Sequence, residues 1–265
     1  MRPGRTGVLT RRAGIAVLLG VTLVVIAAAV LAPRTAQPMT YHNFADQRGW
    51  LGIANFGDVA SNLGFAIVGV WGMIVLLGKP ARVVFVDARE RWPYVIVFAG
   101  MILVAMGSAY YHLAPDNNRL VWDRLPMAIV FMSLVAAMIA ERVSVRAGLT
   151  VLPLLLAVGI ASVWQWHWSE VHGAGDLRFY VAVQAYAIVT LPVILLLPPR
   201  YTRSSDLLAV VDFYILAKLL ETYDGAIFSA GHRMSGHTLK HLAAAAAGWW
   251  ILRMLEKRKP VQAYG

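Results

Sequence analysis

Apolar runs of about twenty residues recur along nearly the whole chain, and a run of that length is what a helix needs to cross roughly 30 Å of hydrocarbon. They read as spans at about 13–31, 56–77, 94–113, 120–140, 147–166, 178–198, 206–228 and 237–255, separated by short turns rich in Pro, Gly and Arg. The alternating pattern of a membrane β-barrel is absent. The expected fold is therefore all-α: a polytopic membrane helix bundle with a seven-helix core and one extra transmembrane helix at the N-terminus. Its parts are a tail and extra helix over 1–35, a core over 36–256 and a C-terminal tail over 257–265. A 59% hydrophobic and only 14% charged composition agrees with this.

The formal charge of +10 does not signal nucleic acid, because the basic residues are spread over short connections between apolar runs. Alternate connections carry Arg2/Arg5/Arg11/Arg12, Lys79/Arg82/Arg89/Arg91, Arg142/Arg146, Arg200/Arg203 and Arg253/Lys257/Arg258/Lys259. By the positive-inside rule both termini are cytoplasmic, and the turn at Pro115–Asn118 and the segment Gly231–Gly236 face the outer side. The first run, with its basic flank, reads as an uncleaved helix: it is long for a signal peptide, and Pro33 would follow the cut. With no cysteine in the chain, any metal must be held by His, Asp or Glu.

Ionisable residues inside spans cost about 2.5–3.5 kcal/mol each on insertion scales, so they usually face the bundle interior and have a partner or a task. In "GSAYYHLAPDNNRLVWDRLPM" (107–127), Ser108 and His112 lie one turn apart on one face of a helix. After the reversal at Pro115, Asp123 falls in the first turn of the returning helix. The stretch reads two ways, as an interhelical hydrogen-bond cluster or as one side of a site. "SGHTLKH" adds His237 and His241, again four apart, a spacing by which helices supply paired zinc ligands. Orientation places His112, His237 and His241 at similar depth near the outer face. If they converge, three imidazoles can hold a zinc with a water in the fourth position, Asp123 can serve as general base, and Ser108 can donate to the developing oxyanion. In the span 206–228, Lys218 and Glu221 read as a mutual pair, and Asp224 as a group able to orient a zinc-bound imidazole. His42, His167, His172 and His232 read as solvated or interfacial, and "WQWHWSE" (164–170) as an aromatic belt.

These stretches, with "IANFGDVASNLGF" (53–65), resemble the alkaline ceramidases, part of a wider group of seven-helix membrane hydrolases that includes adiponectin-receptor-like and GPI-lipid-remodelling proteins. The resemblance covers roughly residues 41–255. It implies zinc on His112, His237 and His241, with Asp123 and Ser108 at the reacting centre. It also implies a lipid substrate taken from the bilayer, whose ceramide-like amide is hydrolysed to a sphingoid base and a fatty acid. An ester hydrolase on phospholipid or GPI-type lipids using the same site, and a non-enzymatic receptor or transporter, are the competing readings. Eukaryotic relatives also carry calcium just before the first core helix. Here Asp46, Asn55 and Asp58, with Asn43, offer oxygens, against the six to eight that calcium typically takes.

Overall fold

The computed structural model describes residues 8–78 and 83–261. Arg2, Arg5, Lys79 and Arg82 of the expected basic connections, and 262–265 of the C-terminal tail, lie outside the described residues. Among the described residues the chain forms α-helices joined by short turns, with isolated bridges at Trp50–Ile53 and Tyr201–Pro260 but no strand. The helices are α1 (Arg11–Leu31), α2 (Phe56–Ser61), α3 (Leu63–Leu77), α4 (Arg91–Leu113), α5 (Asn117–Arg142) and α6 (Val145–Val171). They continue with α7 (Arg178–Ile194), α8 (Asp206–Thr222), α9 (Asp224–Gly231) and α10 (Gly236–Lys257). Among the described residues, five stretches are long and apolar enough to cross a membrane: Arg11–Leu31, Phe56–Leu77, Ala88–Leu113, Asn117–Arg142 and Val145–Val171. The chain is an all-α polytopic membrane bundle. Of the eight expected spans, α7 is apolar but shorter, and α10 carries the buried His237 and His241.

Helix starts follow the side chains that can accept from free backbone N–H groups. Asp116 accepts from Arg119 N at 2.7 Å, Ser144 from Ala147 N at 3.1 Å and Ser235 from Thr238 N at 3.0 Å, opening α5, α6 and α10. Two expected spans are interrupted. Between α2 and α3, Ser61 Oγ and Asn62 Nδ2 both donate to Asp58 O, at 3.0 and 2.7 Å, which takes that carbonyl out of the helical ladder. The span expected over 206–228 likewise breaks at Tyr223 into α8 and α9.

Helix α5 occupies the middle, packed on α4, α6 and α7, while α10 packs on α3 and α8. Helix α1 lies outside against α7, where Thr22 Oγ1 meets Tyr186 OH at 3.1 Å. Only 11% of its apolar window is buried, against 67% for α5, so α1 presents most of its surface to lipid. At the end of the bundle where α4 begins and α10 ends, basic residues act as ties between elements. Arg258 pairs with Glu141, Arg200 Nη1 with Glu90 Oε1 at 2.6 Å, and Arg142 Nη1 donates to Leu197 O at 2.6 Å.

At the opposite end two close approaches set the register of the helices. Pro126 has no N–H to offer Trp122 O four residues earlier, and that carbonyl faces Gly107 on α4; a Cβ at Gly107 would overlap it. The next residue along each helix is Ser108 and Asp123. A Cβ at Gly236 would overlap Leu220 O, so the start of α10 can lie directly against α8.

Candidate metal centre and lipid cavity

His112 ends its helix and His237 and His241 begin theirs, so the antiparallel arrangement of α4 and α10 brings all three to one end of the bundle. Their ring centroids are 4.8 Å (His112–His237), 4.9 Å (His112–His241) and 5.0 Å (His237–His241) apart. One ring nitrogen from each lies within 4.8 Å of the others, and all three side chains are buried. The Phe44 ring, from the segment before α2, covers His112 and His237 at centroid distances of 4.7 and 4.5 Å.

Hydrogen bonding tests whether these rings suit a metal. Both ring nitrogens of His112 and Nε2 of His237 are buried without a hydrogen-bond partner, an expensive state for a core histidine. His241 Nδ1 lies 2.8 Å from Ser61 Oγ, and the single hydroxyl proton of Ser61 is directed to Asp58 O. Ser61 must therefore accept from His241 Nδ1–H, which leaves the Nε2 lone pair of His241 free. This is the carbonyl or hydroxyl anchoring that fixes the tautomer of a ligating histidine. The donor set fits a metal ion that takes imidazole, with no thiolate present. Serine 61 escaped the sequence reading because its partner is 180 residues away. Its replacement by alanine is expected to weaken metal affinity by about 10–100-fold, the usual effect of losing such an anchor; competitive titration with a chelator checks this.

Asp58 ties the start of α2 to the start of α10, its Oδ1 accepting from Thr238 Oγ1 at 2.7 Å and Ser235 Oγ at 3.2 Å. Asn55, in the left-handed region at φ 47°, turns its amide to His112 O at 2.8 Å. Asp46 accepts three bonds from Arg48: Oδ1 from the backbone N at 3.1 Å and Nε at 2.8 Å, Oδ2 from Nη2 at 2.8 Å. Those bonds hold the Asp46 carboxyl below the usual carboxylate range. The same guanidinium reaches His232 O at 2.7 Å and Arg233 O at 2.8 Å, clamping this segment to the loop before α10. Asp46 thus spends both carboxyl oxygens on Arg48 and Asp58 spends Oδ1 on two hydroxyls, while Asp58 Oδ2 is buried without a partner. The arrangement does not fit calcium, for which a guanidinium substitutes at Asp46.

Beside the histidines opens a cavity of about 370 Å³, lined by Ser108, Asp123 and His241 and extending past Met101, Leu191 and Ile251. Its walls are predominantly apolar, as ligand pockets usually are. Ser108 and Asp123 are both buried, and the Ser108 hydroxyl lies close enough to the Asp123 carboxylate to act on it. The structure thus gathers Ser108, Asp123 and His241 in the lining of one cavity, with His241 clustered with His112 and His237.

Other expectations came out differently. Lys218 and Glu221 do pair, but Glu221 also accepts from Lys240 Nζ at 2.6 Å and Tyr41 OH at 3.1 Å. Asp224 does not orient an imidazole: its Oδ1 accepts from the backbone N of His237 at 2.8 Å and its Oδ2 from Ala45 N at 2.9 Å. A carboxylate at the start of α9, set against the first turn of α10, satisfies a free backbone donor there more directly than it can reach a ring. His42 is not merely solvated, since its ring lies 2.8 Å from Tyr111 OH and 3.0 Å from Asn117 Oδ1. Trp164 and Trp168 are exposed as a belt would require, whereas Trp166 is fully buried under the guanidinium of Arg124.

No curated protein matches the chain. A family model described as Ceramidase matches residues 51–253, which takes in α2 through most of α10 and every residue of the histidine cluster. The chain, an all-α membrane bundle with three buried histidines at one end, belongs to the ceramidase family.

Proposed function

We propose that this chain is a zinc-dependent intramembrane amidohydrolase that cleaves the amide of ceramide-like lipids to a sphingoid base and a fatty acid. The observation that carries the reading is three clustered, buried imidazoles, two of them with unpartnered ring nitrogens and the third, His241, lining an apolar cavity, in a chain matched by the ceramidase family. His112, His237 and His241 would hold the zinc. When bound, zinc supplies a Lewis acid able to bring the pKa of a water to about 7.

The remaining work falls to the chain's own groups. Asp123 takes the proton of the water that attacks the amide carbon, then returns it to the nitrogen as the C–N bond breaks, so that the amine leaves neutral. Ser108 Oγ, in the cavity lining beside Asp123, donates to the carbonyl oxygen as its charge builds. The apolar walls receive an alkyl chain and exclude water, which strengthens both contributions.

The basic residues of the connections support a cytoplasmic location for both termini and an outward-facing site. Helix α1 then serves as an added anchor ahead of a core over 36–256.

Elemental analysis of the purified protein after dialysis is expected to give about one zinc per chain, and incubation with an N-acyl sphingosine to release sphingoid base and fatty acid. Appearance of a lysophospholipid from phosphatidylcholine, with ceramide untouched, would make it an ester hydrolase instead. A metal-free protein that leaves both lipids intact would turn the polar groups into the lining of a transport or ligand path.

A further inference from the structure

Arg124 follows Asp123 directly, yet nothing in the hydrolytic reading uses it. Its side chain is 95% buried by residue exposure, lying among three aromatic rings: Trp166 at 4.1 Å, Tyr180 at 4.7 Å and Tyr41 at 5.6 Å from the guanidinium carbon. Such faces stabilise a buried cation without consuming its N–H groups. Nη2 donates to Gln37 Oε1 at 2.5 Å, and Nη1 is buried with no partner. Arg124 also lines the cavity, on the same wall system as Ser108, Asp123 and His241.

The charges around the cavity point the same way. Its lining includes Arg124, Lys218 and Lys240 against Asp123 and Glu221, which leaves one positive charge over. Both lysines are engaged by Glu221. Among the described residues lining the cavity, Arg124 is the cation with no carboxylate in an ion pair, and its Nη1 is unpartnered. A buried guanidinium N–H lacking an acceptor is costly, and an anionic oxygen is the group that relieves it best.

We propose that Arg124 is the binding site for a lipid carboxylate in this cavity, the head of a fatty acid whose alkyl chain lies along the apolar walls. The assignment deepens the amidase reading, because hydrolysis of a neutral amide lipid generates a carboxylate inside this cavity and the intact substrate brings none. The unpartnered Nη1 offers its N–H groups to a carboxylate oxygen, and a carboxylate is the anion that the proposed hydrolysis places in this cavity.

The test uses the full zinc-loaded chain in detergent and measures binding of radiolabelled oleate beside oleyl alcohol and a ceramide 1-phosphate. The parent is expected to prefer oleate to oleyl alcohol by at least about tenfold, the scale of one charge-assisted hydrogen bond. Arg124→Gln should lose about tenfold in oleate affinity with alcohol binding unchanged, and Arg124→Lys, which keeps the charge, should retain a preference for the acid. Zinc content read on each sample identifies a misfolded variant, and in that event the parent and Arg124→Lys comparison of acid with alcohol still decides. Equal affinity of the parent for acid and alcohol, or an Arg124→Gln protein with parental oleate affinity, overturns the proposal. Tighter binding of the ceramide phosphate than of oleate overturns it in favour of an acidic headgroup. Ceramide turnover is measured separately, so an inactive protein that still binds oleate through Arg124 would sink the amidase reading and leave the carboxylate site standing.

Discussion

Alanine in place of His241 is expected to remove both bound zinc and amide hydrolysis. His241 is one of three imidazoles with ring nitrogens within 4.8 Å of one another, and its Nε2 lone pair is presented by the Ser61 contact on the other side of the ring. Two histidines cannot make the three-ligand site that leaves one position open for water. Losing only an anchoring partner such as Ser61 weakens metal affinity by about 10–100-fold, so losing the ligand itself should exceed that range. Elemental analysis and product release on the same preparation check both halves. A His241→Ala protein that retains one zinc per chain and parental turnover would remove the metal centre from the mechanism.

Asparagine at position 123 tests a different quantity. The side chain keeps its size, stays at the buried start of α5 next to the Gly107 approach, and loses only the ability to take a proton. Turnover with a ceramide substrate is expected to fall by about 10²–10⁴-fold, the range that a positioned general base contributes. Zinc content should remain at the parental level, since Asp123 is not among the clustered donors. The two substitutions separate the roles: one removes metal and rate, the other rate alone. An Asp123→Asn enzyme working at the parental rate would reassign the proton transfer to another group.

The local order of the chain was a good guide wherever a physical effect acts within one or two turns. Apolar runs mark spans because each residue of a lipid-facing helix meets hydrocarbon whatever its neighbours do. The four-residue spacings of Ser108 with His112 and of His237 with His241 put each pair on one helix face without any tertiary information. Lys218 with Glu221 is legible for the same reason.

Groups whose partners come from distant helices were not legible. Lys240 sits inside "SGHTLKH" between the two histidines, and its charge inside a span was a signal that it needed an acid; that the acid is Glu221, shared with Lys218 and Tyr41, depends on how α8 meets α10. Trp166 reads as part of an interfacial tryptophan cluster until α5 and α6 pack and place Arg124 on its face. The calcium expectation came from the family resemblance, against a low count of oxygens in the segment, and neither takes notice of Arg48, whose donors occupy Asp46.

By itself the sequence determined that this chain is a helical membrane protein, which helix faces carry its histidines, and the family it belongs to, because hydrophobic length, helical period and motif spacing are properties of short segments. Only the tertiary structure decided that the three imidazoles converge, that Ser61 fixes the tautomer of one, and that Arg124 lines the cavity with Nη1 unpartnered. Those outcomes depend on close approaches at Gly107 and Gly236, where a missing side chain lets two backbones touch, and a contact between helices is set by the shapes of both.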